Sequence, residues 1–400
     1  MSRNLLFILL VLNFSPSLAQ KMPESYYQAL ALIEQNKCEQ AISLIDSSVV
    51  KTDNNPNLLM LRGEAFLKKH QYAKAIDDFR KAELLKNGIA SYQLARAYAL
   101  INDTENALIE LKRHLSQPVK QPEAFILLDT AFINLSKSSQ WNSIWLNDWY
   151  TPYERMVAEV AYLFSHEQWD DAIDLLNQKI EGRAARHRLY ALRGEAYFNI
   201  GSYRSAEADF AQAIQKSRRN HEYMFWKAKA LAAQGKYKAA IKQLNHAIDL
   251  SGGNPHYYME RGQAYAGMGN HHNAITDIQH FLTYYPDCIK AMELFTIYAV
   301  ALGRNIDALF RLATMIKAKP NEVNYYLLRS KIYISSQNWA VAEKDLSKAI
   351  GINGRLVEAY MQRGLCYINM GNKEAACKDW KQAQTLGKFE AQELIYKHCR

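Results

Sequence analysis

One interval, kept without slippage through half of the sequence, constrains this chain more than any other feature. Gly194, Ala228, Gly262, Thr296, Ser330 and Gly364 each stand thirty-four positions after the last, and Ala206, Ala240, Ala274, Ala308, Ala342 and Ala376 follow each of them by twelve. Tyr197, Leu231, Tyr265, Tyr333 and Tyr367 sit three after most of the small residues. Phe210, Leu244, Ile278, Leu312, Leu346 and Trp380 sit four after the alanines. Asn199, Gly201 and Ser202, with Gly235 and Gly269 at equivalent places, separate the two halves, so each unit reads as a helix, a tight turn and a second helix. The small residues belong where helix axes approach most closely; a leucine there overpacks the contact by about 1–3 kcal/mol. Pro286 and Pro320, twenty-four positions after Gly262 and Thr296, end their units before the next helix starts. No such unit buries its apolar face alone, so neighbours must stack. A chain of 400 residues usually suggests two or three domains, yet a stacked array grows by adding units, and one continuous array is the simpler reading.

The register extends backward with decreasing fidelity. Leu59 to Ala82 is nearly a copy of Tyr190 to Ala213, with Gly63, Phe66, Tyr72, Ala75 and Phe79 in place, and Ala29, Leu32, Ala41 and Ile45 mark a unit before it. Ala95, Tyr98, Ala107 and Leu111 mark a third, with the step shortened to thirty-two positions. From Gln117 to Gly182 the pattern weakens: Asp129 takes the small position, Trp141 replaces the alanine, and Val160, Leu163, Ala172 and Leu176 follow at a step of thirty-one. A bend or change of curvature is expected there. Trp141, Trp145 and Trp149, four apart, predict one apolar stripe on one helix, either filling a gap between splayed helices or forming a partner-binding patch. Lys388 to Arg400 places Ala391, Leu394 and Ile395 on one face and reads as a capping helix. The expected divisions are a leader over 1–19, N-terminal units over 20–116, divergent units over 117–182, six regular units over 183–387 and the cap over 388–400.

These landmarks resemble the tetratricopeptide repeat (TPR) family over nearly the whole chain. The resemblance implies an all-α solenoid, a right-handed superhelix of about eleven helix-turn-helix units with a C-terminal capping helix. It also implies that the first helix of each unit lines a concave groove. Met60, Tyr92, Ile126, Phe225, Met259, Leu327 and Met361 would then line it, with Glu64, Arg96, Glu195, Lys229 and Lys331 as a charged margin. The basic and asparagine clamp of the family's chaperone-tail receptors is absent, which disfavours an Hsp70 or Hsp90 role. A groove rich in Met suits apolar helices or extended segments, so a protein or peptide partner is the leading expectation; the plain alternative is that some of these side chains are inter-repeat core.

One polar pairing recurs. Arg62, Arg193, Arg261, Arg329 and Arg363 precede the small residue, and Asp78, Asp209, Asp277, Asp345 and Asp379 follow them by sixteen. Where Lys227 or Phe295 replaces the arginine, Gln243 or Arg311 replaces the aspartate. This covariation predicts five bridges inside units, setting register more than net stability.

Other chemistry is not indicated. His271 and His272 fall in a turn without an acid or cysteine at metal-ligand spacing, His166-Glu167-Gln168-Trp169 lacks the second histidine of a zinc-protease helix, and neither a phosphate-cradling loop nor a serine elbow occurs. No metal or cofactor is expected, and no enzymatic activity. Arg3, the apolar run Leu5 to Leu12 and Ser17-Leu18-Ala19 fit a signal peptide cut before Gln20, implying export to the periplasm or beyond. Asn13 and Pro16 interrupt that run short of the ~20 apolar residues of a membrane span, and no cysteine marks a lipoprotein anchor. The formal charge of +9, or +8 without Arg3, is scattered through the units; it reads as a solvated basic face or as affinity for an anionic envelope surface, and no nucleic-acid motif accompanies it.

Five cysteines enter an oxidising space under this reading: Cys38, Cys288, Cys366, Cys377 and Cys399. A Cys377–Cys399 bridge would fasten the cap, with Cys366–Cys377 as its rival and buried free thiols as the alternative to both. The function expected is an exported scaffold or adaptor assembling an envelope complex. The alternative is a binding protein for a glycan or other small ligand, using Tyr257, Tyr258 and the basic residues.

Overall fold

The computed structural model describes residues 21–49, 55–180 and 186–399; the expected leader, 1–19, lies outside them. Among the described residues there are 23 α-helices, two short 3-10 turns and no strand. The chain divides into two compact units, one running to Met268 with Thr283–Tyr285, the other made of Gly269–Leu282 and Pro286 onward. This division falls inside the stretch expected to be one block of six repeats.

The first unit opens with the pairs α1 (Glu24–Glu34) and α2 (Cys38–Val49), α3 (Pro56–Lys68) and α4 (Tyr72–Leu85), and α5 (Ser91–Leu100) and α6 (Thr104–Leu115). After an irregular segment come α9 (Pro152–Ser165) with α10 (Trp169–Lys179), α11 (His187–Asn199) with α12 (Tyr203–Lys216), α13 (His221–Ala233) with α14 (Tyr237–Ser251), and α15 (Pro255–Gly267). Helix α16 (His271–Tyr284) crosses the division. The second unit continues with α17 (Ile289–Ala301) and α18 (Asn305–Ala318), α19 (Val323–Ser335) and α20 (Trp339–Ile352), α21 (Val357–Asn369) and α22 (Lys373–Thr385), and ends with α23 (Ala391–His398).

The turn inside each unit is set by one left-handed residue seven after the small position. Glycine supplies it at Gly201 (φ +80°) and Gly235 (φ +74°), whereas Asn36, His70, Asn102, Glu167 and Gln337 adopt the same conformation near φ +60°. A side chain there pays a local steric penalty, so the turn is imposed by helix packing as much as by residue choice. The packing has a specific cause. A Cβ on Gly63 would lie 2.4 Å from Phe79 Cε1, one on Gly364 would lie 2.4 Å from Trp380 Nε1, and one on Gly194 would lie 3.1 Å from Phe210 Cζ. Each aromatic ring therefore occupies the volume that a methyl group would need. Where the residue sixteen along is leucine, as at Leu111, Leu244, Leu312 and Leu346, the small residue is Ala95, Ala228, Thr296 or Ser330.

The expected helix pair at the start of the irregular segment is not formed. Helix α7 (Glu123–Leu127) has five residues, 3-10 turns follow at Thr130–Phe132 and Leu135–Lys137, and α8 (Ser139–Ile144) has six. Among the described residues ten units, not eleven, keep two full-length helices. Asp129 gives the reason: its side chain accepts the Ala131 backbone N–H at 2.9 Å, starting a new turn where the first helix should continue. The tryptophan stripe on one helix is corrected as well. Trp141 lies on α8, Trp145 caps it, and Trp149 lies in the loop beyond. The indoles still pack inward. Trp141 is buried, its ring centroid 5.3 Å from Phe132 and 5.6 Å from Trp145, and Trp149 Nε1 donates to the Ile144 carbonyl at 2.8 Å. They fill the space that two shortened helices leave, as the gap-filling reading expected.

Within the first unit α1 also docks far along the chain. Met22 N and Tyr27 OH both donate to the Ser251 carbonyl, at 3.1 and 2.8 Å, Gln35 Nε2 donates to the Tyr284 carbonyl at 2.7 Å, and Tyr285 OH donates to Glu34 Oε2 at 2.8 Å. Tyr27, Ala31 and Tyr284 form a buried cluster beneath these bonds. The second unit is closed by α23. Ala391 is buried against Trp380 and Ala383, with Leu394 and Ile395 packed on the same cluster. No helix among the described residues is long and apolar enough to cross a membrane.

Candidate functional site

Arg62, Arg193, Arg329 and Arg363 each grip the aspartate sixteen residues on with two hydrogen bonds. Arg62 to Asp78, Arg193 to Asp209, Arg329 to Asp345 and Arg363 to Asp379 make paired Nε and Nη2 contacts of 2.6–2.8 Å, and the aspartates are buried. These bonds raise the pKa of each of the four guanidiniums, against an opposing effect of burial. Arg261 lies in the first unit and the buried Asp277 in the second.

Sequence reasoning missed the third donor. It reaches sixteen residues backward, to Asp46 from Arg62 (2.6 Å), Asn177 from Arg193 (2.8 Å), Asn245 from Arg261 (2.8 Å) and Ser347 from Arg363 (2.9 Å), tying each unit to the one before. Arg329 has Ala313 at that offset, so the signal was present in the sequence. Tyrosines three before and four after flank the guanidinium, as with Tyr190 and Tyr197 around Arg193, at 6.0 and 5.8 Å. In the variant unit Arg311 lies over the Phe295 ring at 5.2 Å, which replaces the ion pair with a cation–π contact.

The positions expected to line a groove divide three ways. Ile126 is fully buried and Tyr92 8% exposed, and both belong to the core cluster that runs from Leu59 to Tyr150, not to an open groove surface. Met60, Phe225, Leu327 and Met361 are half-buried and pack against core clusters. Met259 and Glu64 are of intermediate exposure and Lys331 is exposed.

The charged margin is more organised than expected. Tyr92 OH donates to Asp129 Oδ2 at 2.7 Å, and Arg96 Nε lies 2.8 Å from the same oxygen. Burial raises the Glu64 carboxyl above its usual range, Arg96 opposes that, and Asp129 adds to it. Asp129 therefore trades the packing role of its position for an ionic one.

Farther along, Lys229 stands over Trp226 at 4.4 Å and Phe198 at 5.1 Å, with Phe225 at 5.6 Å. Glu195, one repeat earlier, is 3% exposed and pushed up to about 8 by burial; Lys229 opposes the shift and Glu222 adds to it. Glu222 and Arg188, neither singled out from the sequence, lie six residues before Ala228 and Gly194. Burial also pushes Glu222 up to about 8 and lowers Arg188. Glu222 Oε2 and Arg188 Nε are shielded without a hydrogen-bond partner. Buried polar groups of this kind are uncommon in proteins.

Tyr257, expected to serve a glycan, is 4% exposed, with its hydroxyl 2.8 Å from His221 Nδ1; His187 Nδ1 and Tyr223 repeat the contact at 2.7 Å. Tyr257 is thus a packing residue, not a stacking platform. Tyr258 lies against Arg261, 5.0 Å from its guanidinium. At the other end of the chain Cys377 and Cys399 are joined by a disulfide, while Cys38, Cys288 and Cys366 are free.

Repeat architecture and site together define a helical array of tetratricopeptide type. Tetratricopeptide-repeat models match residues 26–88 and 191–255, and a second such model matches 255–288 and 357–388. The chain therefore carries tetratricopeptide repeats near both ends and in its middle. It is similar to tetratricopeptide repeat protein 16 of Mus musculus, 24% identical over 204 residues, 50% of this chain and 20% of that protein. It is also similar to DnaJ homolog subfamily C member 3 of Gallus gallus, 31% identical over 111 residues, 27% of this chain and 22% of that protein. The chain thus spans about a fifth of the length of the curated relatives it matches. The C-terminal part of a TPR repeat-containing protein from Cytophaga hutchinsonii superposes with a TM-score of 0.54 at 19% identity, covering 59% of this chain and 98% of that one, which shows a shared fold.

Proposed function

We propose that this chain is a non-enzymatic scaffold that binds a protein or peptide along the first helices of its repeats and, after export, serves the assembly of a cell-envelope complex. One observation carries the binding reading. Successive units present charged groups at the same position of the first helix, Glu64 and Arg96 in one pair of neighbours, Glu195 and Lys229 in another, beside the half-buried Met60 and Phe225. An array with such a face suits an extended segment that crosses several repeats. Export is supported by the Arg3 and Leu5–Leu12 leader pattern and by the Cys377–Cys399 disulfide, a bond that persists in oxidising compartments. Affinity capture from the envelope fraction with wild type and with R96E/K229E tests it. A partner retained by wild type and lost from the variant is expected. Equal retention by both, or no retention by either, overturns the binding reading. A first residue of Gln20 in protein recovered from the envelope fraction is expected, and an uncleaved chain in the cytosol overturns export.

A further inference from the structure

We propose that the exposed side of α18 docks on an anionic membrane surface, with Ile306 and Phe310 inserted among the lipids. Ile306 is 84% exposed and Phe310 68%, and their spacing of four sets them side by side on one face of the helix, continued by the exposed Ala313 and Lys317. The repeat register sets this pair apart. At the position of Ile306 the other five regular units carry Arg204, Lys238, His272, Ala340 and Glu374, and at that of Phe310 they carry Ala208, Lys242, Thr276, Lys344 and Lys378. Of the six, one unit therefore places two large apolar side chains there, and it is the unit in which Phe295 and Arg311 replace the Arg–Asp pair. Core packing gives no reason for side chains this exposed.

The charge around the pair decides what covers it. Stacked units set equivalent positions in a row, so Lys344 and Lys378 continue the line of Phe310 onto α20 and α22, with Lys348 and Lys381 a turn further along those helices. These four lysines and Lys317 are exposed, and none makes an ion pair among the described residues. The Arg311 guanidinium, 5.9 Å from the centre of the Phe310 ring, adds a cation at the edge of the apolar pair. Acids do not balance them: Asp307 is bound to Arg304 at 2.7 Å, Glu343 accepts from Ser347 Oγ and Tyr367 OH at 2.6 and 2.9 Å, and Glu374 is the exposed acid on α22. A second copy of the chain would bring two basic rows into one interface, which disfavours self-association. Apolar side chains that project from a helix beside unpaired lysines supply both terms of interfacial binding, insertion and attraction to anionic headgroups. Such a surface rests on a bilayer without spanning it, in keeping with the lack of a membrane-crossing helix among the described residues. The proposal goes beyond the scaffold reading and does not depend on it, since Arg96 and Lys229 lie on first helices and α18 is a second helix.

Cosedimentation with lipid vesicles tests this, using the chain from Gln20 onward, which holds every described residue and leaves out the apolar leader pattern. One set of vesicles is equal parts phosphatidylglycerol and phosphatidylcholine, the other phosphatidylcholine alone. I306S/F310S and K344E/K378E accompany wild type; all four side chains are exposed, so both variants are expected to keep the wild-type circular dichroism. The expected result is partition of wild type onto the anionic vesicles roughly tenfold or more above that onto the neutral ones, weakened by salt, with a loss of similar size in each variant. Equal partition of wild type and I306S/F310S, equal partition onto both kinds of vesicle, or no partition of wild type overturns the proposal. An envelope protein retained by wild type and lost from I306S/F310S, without vesicle binding, assigns the pair to a protein partner and likewise overturns it. Each of these failures leaves the capture experiment with R96E/K229E, and so the scaffold reading, untouched.

Discussion

At the scale of single residues, the contact between the small position and the ring sixteen residues on decides whether two helices meet. Gly364→Ala is expected to destabilise the C-terminal unit by about 1–3 kcal/mol, because a Cβ would sit 2.4 Å from Trp380 Nε1. Trp380→Leu on top of it is expected to cost less than the sum of the two single changes, measured by urea denaturation. The ion pairs make a second case. Asp209→Ala strands a part-buried guanidinium and is expected to cost about 3–5 kcal/mol. Arg193→Met/Asp209→Leu should recover part of that loss. A third case concerns pH. Because the Glu195 and Glu222 acids are raised to about 8, their contribution is fully present below the ordinary carboxylate range near 4.5 and is lost as pH rises toward 8. Urea midpoints followed from pH 5 to 8.5 are expected to fall across that window in wild type and to flatten in E195Q/E222Q. A wild-type slope no steeper than that of the double variant would sink the assignment.

Among the elements, the irregular segment and the terminal cap show how far local patterns reach. The spacing of four between Trp141, Trp145 and Trp149 is helical, yet α8 ends at Ile144, and upstream the Asp129 side chain starts a 3-10 turn where the first helix of the unit should continue. Hydrophobic period alone does not register a competing side-chain cap. The cap α23 was legible, since an array must cover its last apolar face. Its disulfide spans 22 residues, and a loop of that size is worth about 3 kcal/mol in the chain-entropy account. Cys399→Ser, or treatment with a thiol reductant, is expected to lower the melting temperature of the protein and to speed amide exchange in Ala391–His398. Unchanged exchange there would show that Ala391, Leu394 and Ile395 hold the helix without the bond.

For the whole molecule, the feature that matters most is the return of α1 to the end of α14. Its bonds join residues 224 and 249 positions apart. Gly252 is adapted to this contact: it has φ +85°, and a Cβ would lie 2.1 Å from the Met22 carbonyl oxygen. Gly252→Ala is therefore expected to loosen α1, raising amide exchange in Glu24–Glu34 well above that of α3 and α4. Uniform exchange across all three helices would contradict the docking.

The sequence by itself determined the class of fold, the thirty-four-residue register of the helix pairs and the bridges of Arg62, Arg193, Arg329 and Arg363 inside their units, because each depends on residues within one repeat period. The backward reach of the arginines was equally local, readable from Asp46, Asn177, Asn245 and Ser347 against Ala313. Only the tertiary structure decided that Ile126 is core, that Tyr257 is sequestered by His221, and that α1 docks on Ser251 and Tyr284. The docking of α1 depends on how small rotations between repeats accumulate along the array, and no single period of the sequence encodes that sum.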